Sequence, residues 1–181
     1  FGQAAEVAVV DLKAREKALE LRRRQLVLVP DEVSALEALE GLLTQGSSWE
    51  ELAHHYRQWI QAVGGTPDEM DLRLRRGVLL DTHLQQTSAA IDEGLLALSV
   101  GSSDAVLAFL EDLLSRESGA SPDRRRIAER LEEAYASVGR GWGARAAVQE
   151  ALRATSSSDE ERVRCLMAIG ELHWKEGEDP S

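Results

Sequence analysis

The chain has 181 residues, 43% of them hydrophobic and only 4% aromatic, with a formal net charge of −11. That is enough apolar material for one domain or one solenoid segment, packed mostly by Leu, Ala and Val, while the acidity disfavours general nucleic-acid binding, which needs a basic face. One cysteine, Cys165, excludes an intramolecular disulfide and a cysteine-rich metal site, and no apolar run approaches the roughly 20 residues of a membrane span.

In chain order, residues 3–27 read as a long polar helix with an uneven apolar stripe through Ala5, Ala8, Val9, Leu12, Ala18, Leu19 and Leu26. It should stop near Val29, because the residue before Pro30 is held extended. Residues 30–63 then read as two short amphipathic helices. Val33, Leu36, Leu39, Leu42 and Leu43 recur every three or four residues in the first; Trp49, Leu52, Ala53, Tyr56, Trp59, Ile60 and Val63 do so in the second. Gly46 suits the left-handed residue that ends the first, and Ser48-Trp49-Glu50-Glu51 is a capping box for the second.

The same punctuation recurs downstream. Thr66-Pro67-Asp68-Glu69 and Ser158-Asp159-Glu160-Glu161 are further capping boxes, while Ser103-Asp104 and Ser121-Pro122-Asp123 are helix starts without the Glu. Glycines 64, 65, 101, 119, 139 and 177 stand where helices should end. The predicted helices span about 67–84, 88–98, 104–116, 122–138, 141–153 and 159–176. The first of these is apolar on two sides and carries Gly77 in its middle, where glycine costs about 1 kcal/mol relative to alanine. Close approach by another helix would compensate. Cys165 is expected to be a small buried side chain.

Residues 30–80 and 122–172 repeat one another at an offset of 92, each with Pro-Asp, a helix, a turn with Gly and Trp, a second helix, and a third opening at Asp-Glu. Repeated helix pairs imply a solenoid. The run Ala168-Ile169-Gly170-Glu171-Leu172-His173-Trp174-Lys175-Glu176-Gly177 resembles the tetratricopeptide (TPR) repeat, with two glycines seven apart and an aromatic between them. Gly77 with Ala90 is similar to a second copy, and Gly46, Trp49, Leu52 and Tyr56 to a third. Leu39 and Gln149 depart from the pattern, residues 104–116 look like an added or unpaired helix, and other helical arrays of HEAT type remain open.

The resemblance implies an all-α fold of antiparallel hairpins stacked as a TPR-like right-handed α-solenoid. Residues 1–29 would end a preceding repeat, and residues 30–181 would form the repeat region, cut at its C-terminal side. It also implies a non-catalytic scaffold that binds a protein or peptide in a groove lined by first helices. Gly77 and Gly170, taken as helix-crossing residues, then turn Asp71, Leu74, Val78, Asp81 and Thr82 toward the groove in one unit and Arg164, Met167, Glu171, Trp174 and Lys175 in the other. Without Asn, and with lysines only at 13, 17 and 175, the chain lacks the carboxylate clamp of chaperone-tail binders.

The alternative function is a regulatory or dimerisation domain that associates with itself through its exposed terminal helix. Adjacent His54 and His55 point about 100° apart on a helix, so they are poorly placed to chelate one ion, and no nucleophile elbow, P-loop or dinucleotide motif appears. The expectation is therefore no enzyme, no cofactor and no metal. The basic clusters 22–24, 73–76 and 124–126 read either as solvated helix faces with local ion pairs or as anchors for an acidic partner. Phe1 is no natural start, so the chain reads as an excised segment; no signal peptide is visible, and a cytoplasmic setting is expected.

Overall fold

Cap signals and apolar periodicity place the helices where the sequence suggests. A computed structural model describes the backbone of residues 2–29 and 33–177 and the side chains of residues 13–29 and 33–175. The expected stripe at Ala5, Ala8, Val9 and Leu12, and the opening Pro30-Asp31, lie outside the described side chains. Among the described residues the fold is all-α: α1 (Gly2–Leu28), α2 (Val33–Gln45), α3 (Trp49–Val63), α4 (Pro67–Thr82), α5 (Thr87–Val100), α6 (Asp104–Arg116), α7 (Pro122–Val138), α8 (Trp142–Thr155) and α9 (Asp159–Gly177).

Two details of the caps differ from expectation. Ser103 and Ser121 accept from the backbone N–H of Val106 and Arg124, as N-caps should. Ser48 and Thr66 make no side-chain cap bond. The Ser48 hydroxyl instead receives Arg15 Nη2 at 3.2 Å, and Glu69 takes the Gly65 N–H at 2.6 Å rather than that of Thr66. At the α2–α3 turn the left-handed residue is Ser47, with φ 52°, not Gly46. A Cβ at Gly46 would displace the Arg15 guanidinium, the far end of a flexible side chain, which reaches across the turn to the Leu42 carbonyl at 3.1 Å.

Among the described residues each helix packs on its neighbour in sequence, and further substantial contacts join only next-but-one helices, α4 to α6 and α5 to α7. Within α4 and α5, Asp81 meets Thr87, Gly77 lies by Ala90 and Arg73 reaches Glu93, the descending register of an antiparallel pair. The core divides accordingly. One cluster centres on Leu36, Leu43, Tyr56, Trp59 and Leu80, the other on Ile91, Leu110, Ile127, Leu131 and Val148. Phe109 packs against both. It does so over two glycines: an added Cβ would come within 3.0 Å of its ring at Gly77 and 3.1 Å at Gly94. The close approach at Gly77 is made by the Ala90 carbonyl of α5, at 3.4 Å from an added Cβ, and by the Phe109 ring of α6, a helix that packs on both α5 and α7. Gly94→Val is expected to cost about 1–3 kcal/mol by overpacking, read as a shifted urea midpoint at constant slope.

Helices α2, α4, α6 and α8 begin at residues 33, 67, 104 and 142, so successive pairs open 34, 37 and 38 residues apart. Five ion pairs fall near the same interval, while others, Arg23 with Glu51, Arg73 and Arg76 with Glu93 and Arg140 with Glu111, span 17 to 29 residues. Arg75 meets Glu40, Arg116 meets Asp81, Arg126 meets Asp92, Arg140 meets Asp104 and Glu161 meets Arg125, all across 34 to 36 residues. Most of these groups keep solvent contact, where such a pair contributes only about 0–1 kcal/mol. Their consequence is register between successive pairs rather than stability. They also show that Arg75, Arg125 and Arg126 are engaged within the chain.

Candidate partner-binding faces

The α4 set is divided between packing and surface. Leu74 packs on the larger apolar cluster. Asp81 is held by Arg116 at 2.7 Å and by the Thr87 hydroxyl at 3.3 Å, with its side chain only 7% exposed. Asp71, Val78 and Thr82 are exposed; Asp71 pairs with Arg75 at 2.7 Å, and the Thr82 hydroxyl donates to the Val78 carbonyl.

On α9, Arg164, Met167, Glu171, Trp174 and Lys175 are all exposed. The helix packs on α8 through its opposite face, where Cys165 is buried as expected; burial pushes its thiol pKa up, so it is a poor nucleophile. Glu171 and Lys175 also border a groove of about 280 Å³ with Arg145, Gln149 and Glu132. The structure does not bring the two sets together, since α4 and α9 share no substantial contact. The two glycines taken as crossing points also differ: Gly77 lies under Phe109, whereas a Cβ at Gly170 would meet nothing within 4 Å. Counted from α2, α9 would be the second member of a pair; counted from α3, whose alternate helices begin at 49, 87, 122 and 159, it would be a first helix.

A cleft of about 720 Å³ lies between α1, α2 and α3, lined by Leu26, Leu36, Leu39 and Leu43 and by Arg23, Glu50 and His54. No motif marks it; it arises because α1 is tied to the α2–α3 turn by Arg15 and to α3 by Arg23 on Glu51 at 2.6 Å.

His55 lines this cleft yet is 2% exposed. Its Nε2–H donates to the Leu36 carbonyl at 3.0 Å, and its ring lies beside Tyr56 and Trp59. Burial holds its pKa below the usual value, although Leu36 and Glu40 pull upward. In the unfolded chain the imidazole takes its proton near pH 6.5, whereas the folded protein resists. Stability should therefore fall as pH drops below about 6.5, until the folded pKa is passed. His55→Gln, which keeps a donor to Leu36, should flatten the melting temperature between pH 7.5 and 5.5.

Glu69 shows the acidic counterpart: the Gly65 N–H, then Arg73, lower its pKa. Its contribution is present above the unfolded carboxylate pKa and is lost as pH falls through the folded one.

Trp59 is buried, as are Tyr56, Leu131 and Tyr135. Trp49 is half-buried and stacks on His83 with ring centroids 3.9 Å apart. Trp49→Ala should then cost about 2 kcal/mol, below the roughly 3–5 of a fully buried aromatic. Both core tyrosines donate to a glutamate on the preceding helix, Tyr56 to Glu40 and Tyr135 to Glu111. Burial, then these carboxylates, raises both phenol pKa values. Among the described residues no three His, Cys, Asp or Glu side chains converge as metal ligands, and no helix is long and apolar enough to cross a membrane. No protein-family model, no curated protein and no solved structure matches the chain.

Proposed function

We propose that the chain is a degenerate TPR-like α-solenoid, right-handed as in that family, serving as a non-catalytic scaffold for a protein or peptide partner in the cytoplasm. The observation that carries this reading is the set of ion pairs spaced 34 to 36 residues apart. Helix pairs opening every 34 to 38 residues agree with it, as do contacts confined to near neighbours, the behaviour of a quasi-one-dimensional array.

Two faces would then meet partners: Asp71, Val78 and Thr82 on α4, with Leu74 and Asp81 holding that face in place, and Arg164, Met167, Glu171, Trp174 and Lys175 on α9. Trp174 and Met167 supply apolar anchors, and the charges beside them set register and exclude wrong partners. No cofactor is required.

The test is capture of a partner from native lysate by this chain. Arg164→Glu with Lys175→Glu should weaken capture while leaving helicity and melting temperature nearly unchanged. Capture untouched by that pair of changes but abolished by charge reversal of Arg22, Arg23 and Arg24 would move the contact to α1 and end the α9 assignment. The alternative, self-association, is favoured by one observation: the exposed apolar stripe of α9.

A further inference from the structure

Val163, Leu166, Met167 and Trp174 are 55%, 53%, 64% and 72% exposed. With Gly170 they recur at steps of three and four residues, so they form one stripe along α9, opposite the buried Cys165. Gly170 leaves a bare notch near its middle, since a Cβ there would touch nothing. Along one flank of the stripe stand Glu160, Arg164, Glu171 and Lys175, all exposed. None of the four makes an ion pair among the described residues, in a chain whose other exposed arginines are largely paired.

We propose that this face is covered by a second copy of the chain, α9 packing antiparallel on α9 about a two-fold axis. The proposal rests on the reading of α9 as a binding face and names its partner. A dyad between antiparallel helices brings the same flank of each together, and every contact occurs twice. Seating Met167 in the Gly170 notch of the second copy sets the register. Val163 then falls against Trp174 of the second copy, Arg164 against Glu171 and Glu160 against Lys175. Read along the flank, the charges run minus, plus, minus, plus, so the pattern is complementary to its own reversal. A parallel pair would set like charges side by side, which is unfavourable. The stripe from residue 163 to 174 is only about 16 Å long at 1.5 Å per residue, so the dimer is concentration-dependent.

Sedimentation equilibrium of the 181-residue chain, from low micromolar to near millimolar, tests this. Wild type should move from 19.9 kDa toward twice that mass. Arg164→Glu and Glu171→Arg should each hold it at the monomer mass, by setting two like-charged pairs across the dyad. Arg164→Glu combined with Glu171→Arg should restore the dimer, and all three variants should melt like wild type, since both positions are exposed. A wild type that stays monomeric, a dimer indifferent to the single reversals, or single reversals not rescued by the double would each overturn the proposal. Lysate capture with the same samples separates the two readings. A monomeric wild type whose Arg164→Glu variant loses a captured protein leaves the scaffold standing and removes the dimer. A swap-rescued dimer that captures nothing does the reverse.

Discussion

Glu93→Ala is expected to destabilise the fold by about 3–5 kcal/mol, the range for removing one partner of a buried ion pair. Glu93 is 7% and Arg76 8% exposed. The Glu93 carboxylate receives Arg76 and, at 3.2 Å, Arg73. Arg76 also donates to the Ala53 carbonyl at 3.1 Å, which ties α3 to α4 and α5, and Arg73 is held from its other side by Glu69 at 2.7 Å. Burial lowers the Arg76 pKa, against the pull of Glu93. Alanine at 93 leaves the Arg76 guanidinium buried without a counter-charge. The double change Arg76→Met with Glu93→Leu removes both charges and should recover most of the loss, because well-packed apolar replacements of a buried pair are often neutral. Urea unfolding of the three variants reads this directly; a Glu93→Ala midpoint equal to wild type would show that water reaches the network.

Leu110→Ala should cost about 2–5 kcal/mol. Leu110 is fully buried, and its Cδ2 lies 2.8 Å from where a Cβ on Gly94 would stand. Truncation opens a cavity where α5, α6 and α7 meet, and neither helix backbone can close it without losing the Phe109 seat on Gly77 and Gly94. Leu166→Ala, at a residue 53% exposed, is the contrasting case and should stay within roughly 0.5 kcal/mol. Because the apolar clusters are distinct, hydrogen exchange in Leu110→Ala should accelerate most from α5 to α8 and least in α2 and α3.

Local signals carried the helices well. Residues 104–116 and 122–138 are helical with the bounds that Ser103, Ser121 and Gly139 announce. Apolar stripes at helical period should bury Trp49, Tyr56, Leu131 and Tyr135; the last three and Cys165 are buried, while Trp49 is only half-buried. Pairing was less legible. The 92-residue repeat in the sequence aligns α2 with α7, while the helix starts at 33, 67, 104 and 142 also admit a phase that aligns α2 with α6.

Tertiary choices lay beyond local rules altogether. The Ser48 hydroxyl accepts from Arg15 instead of capping, and the left-handed turn residue is Ser47 instead of Gly46. The arginine clusters could be read as solvated or as anchors; the ion pairs across 34 to 36 residues show where several of them go, and only the fold brings those partners together.

The shape of the isolated chain in solution tests the central claim most directly. Small-angle X-ray scattering should be recorded on the Arg164→Glu variant, to hold it monomeric. A single closed globule of 181 residues would have a radius of gyration of about 16 Å. An open array of stacked helix pairs predicts a value clearly above that, with a pair-distance distribution skewed to long distances. A radius near 16 Å with a symmetric distribution would contradict the array and, with it, the scaffold reading.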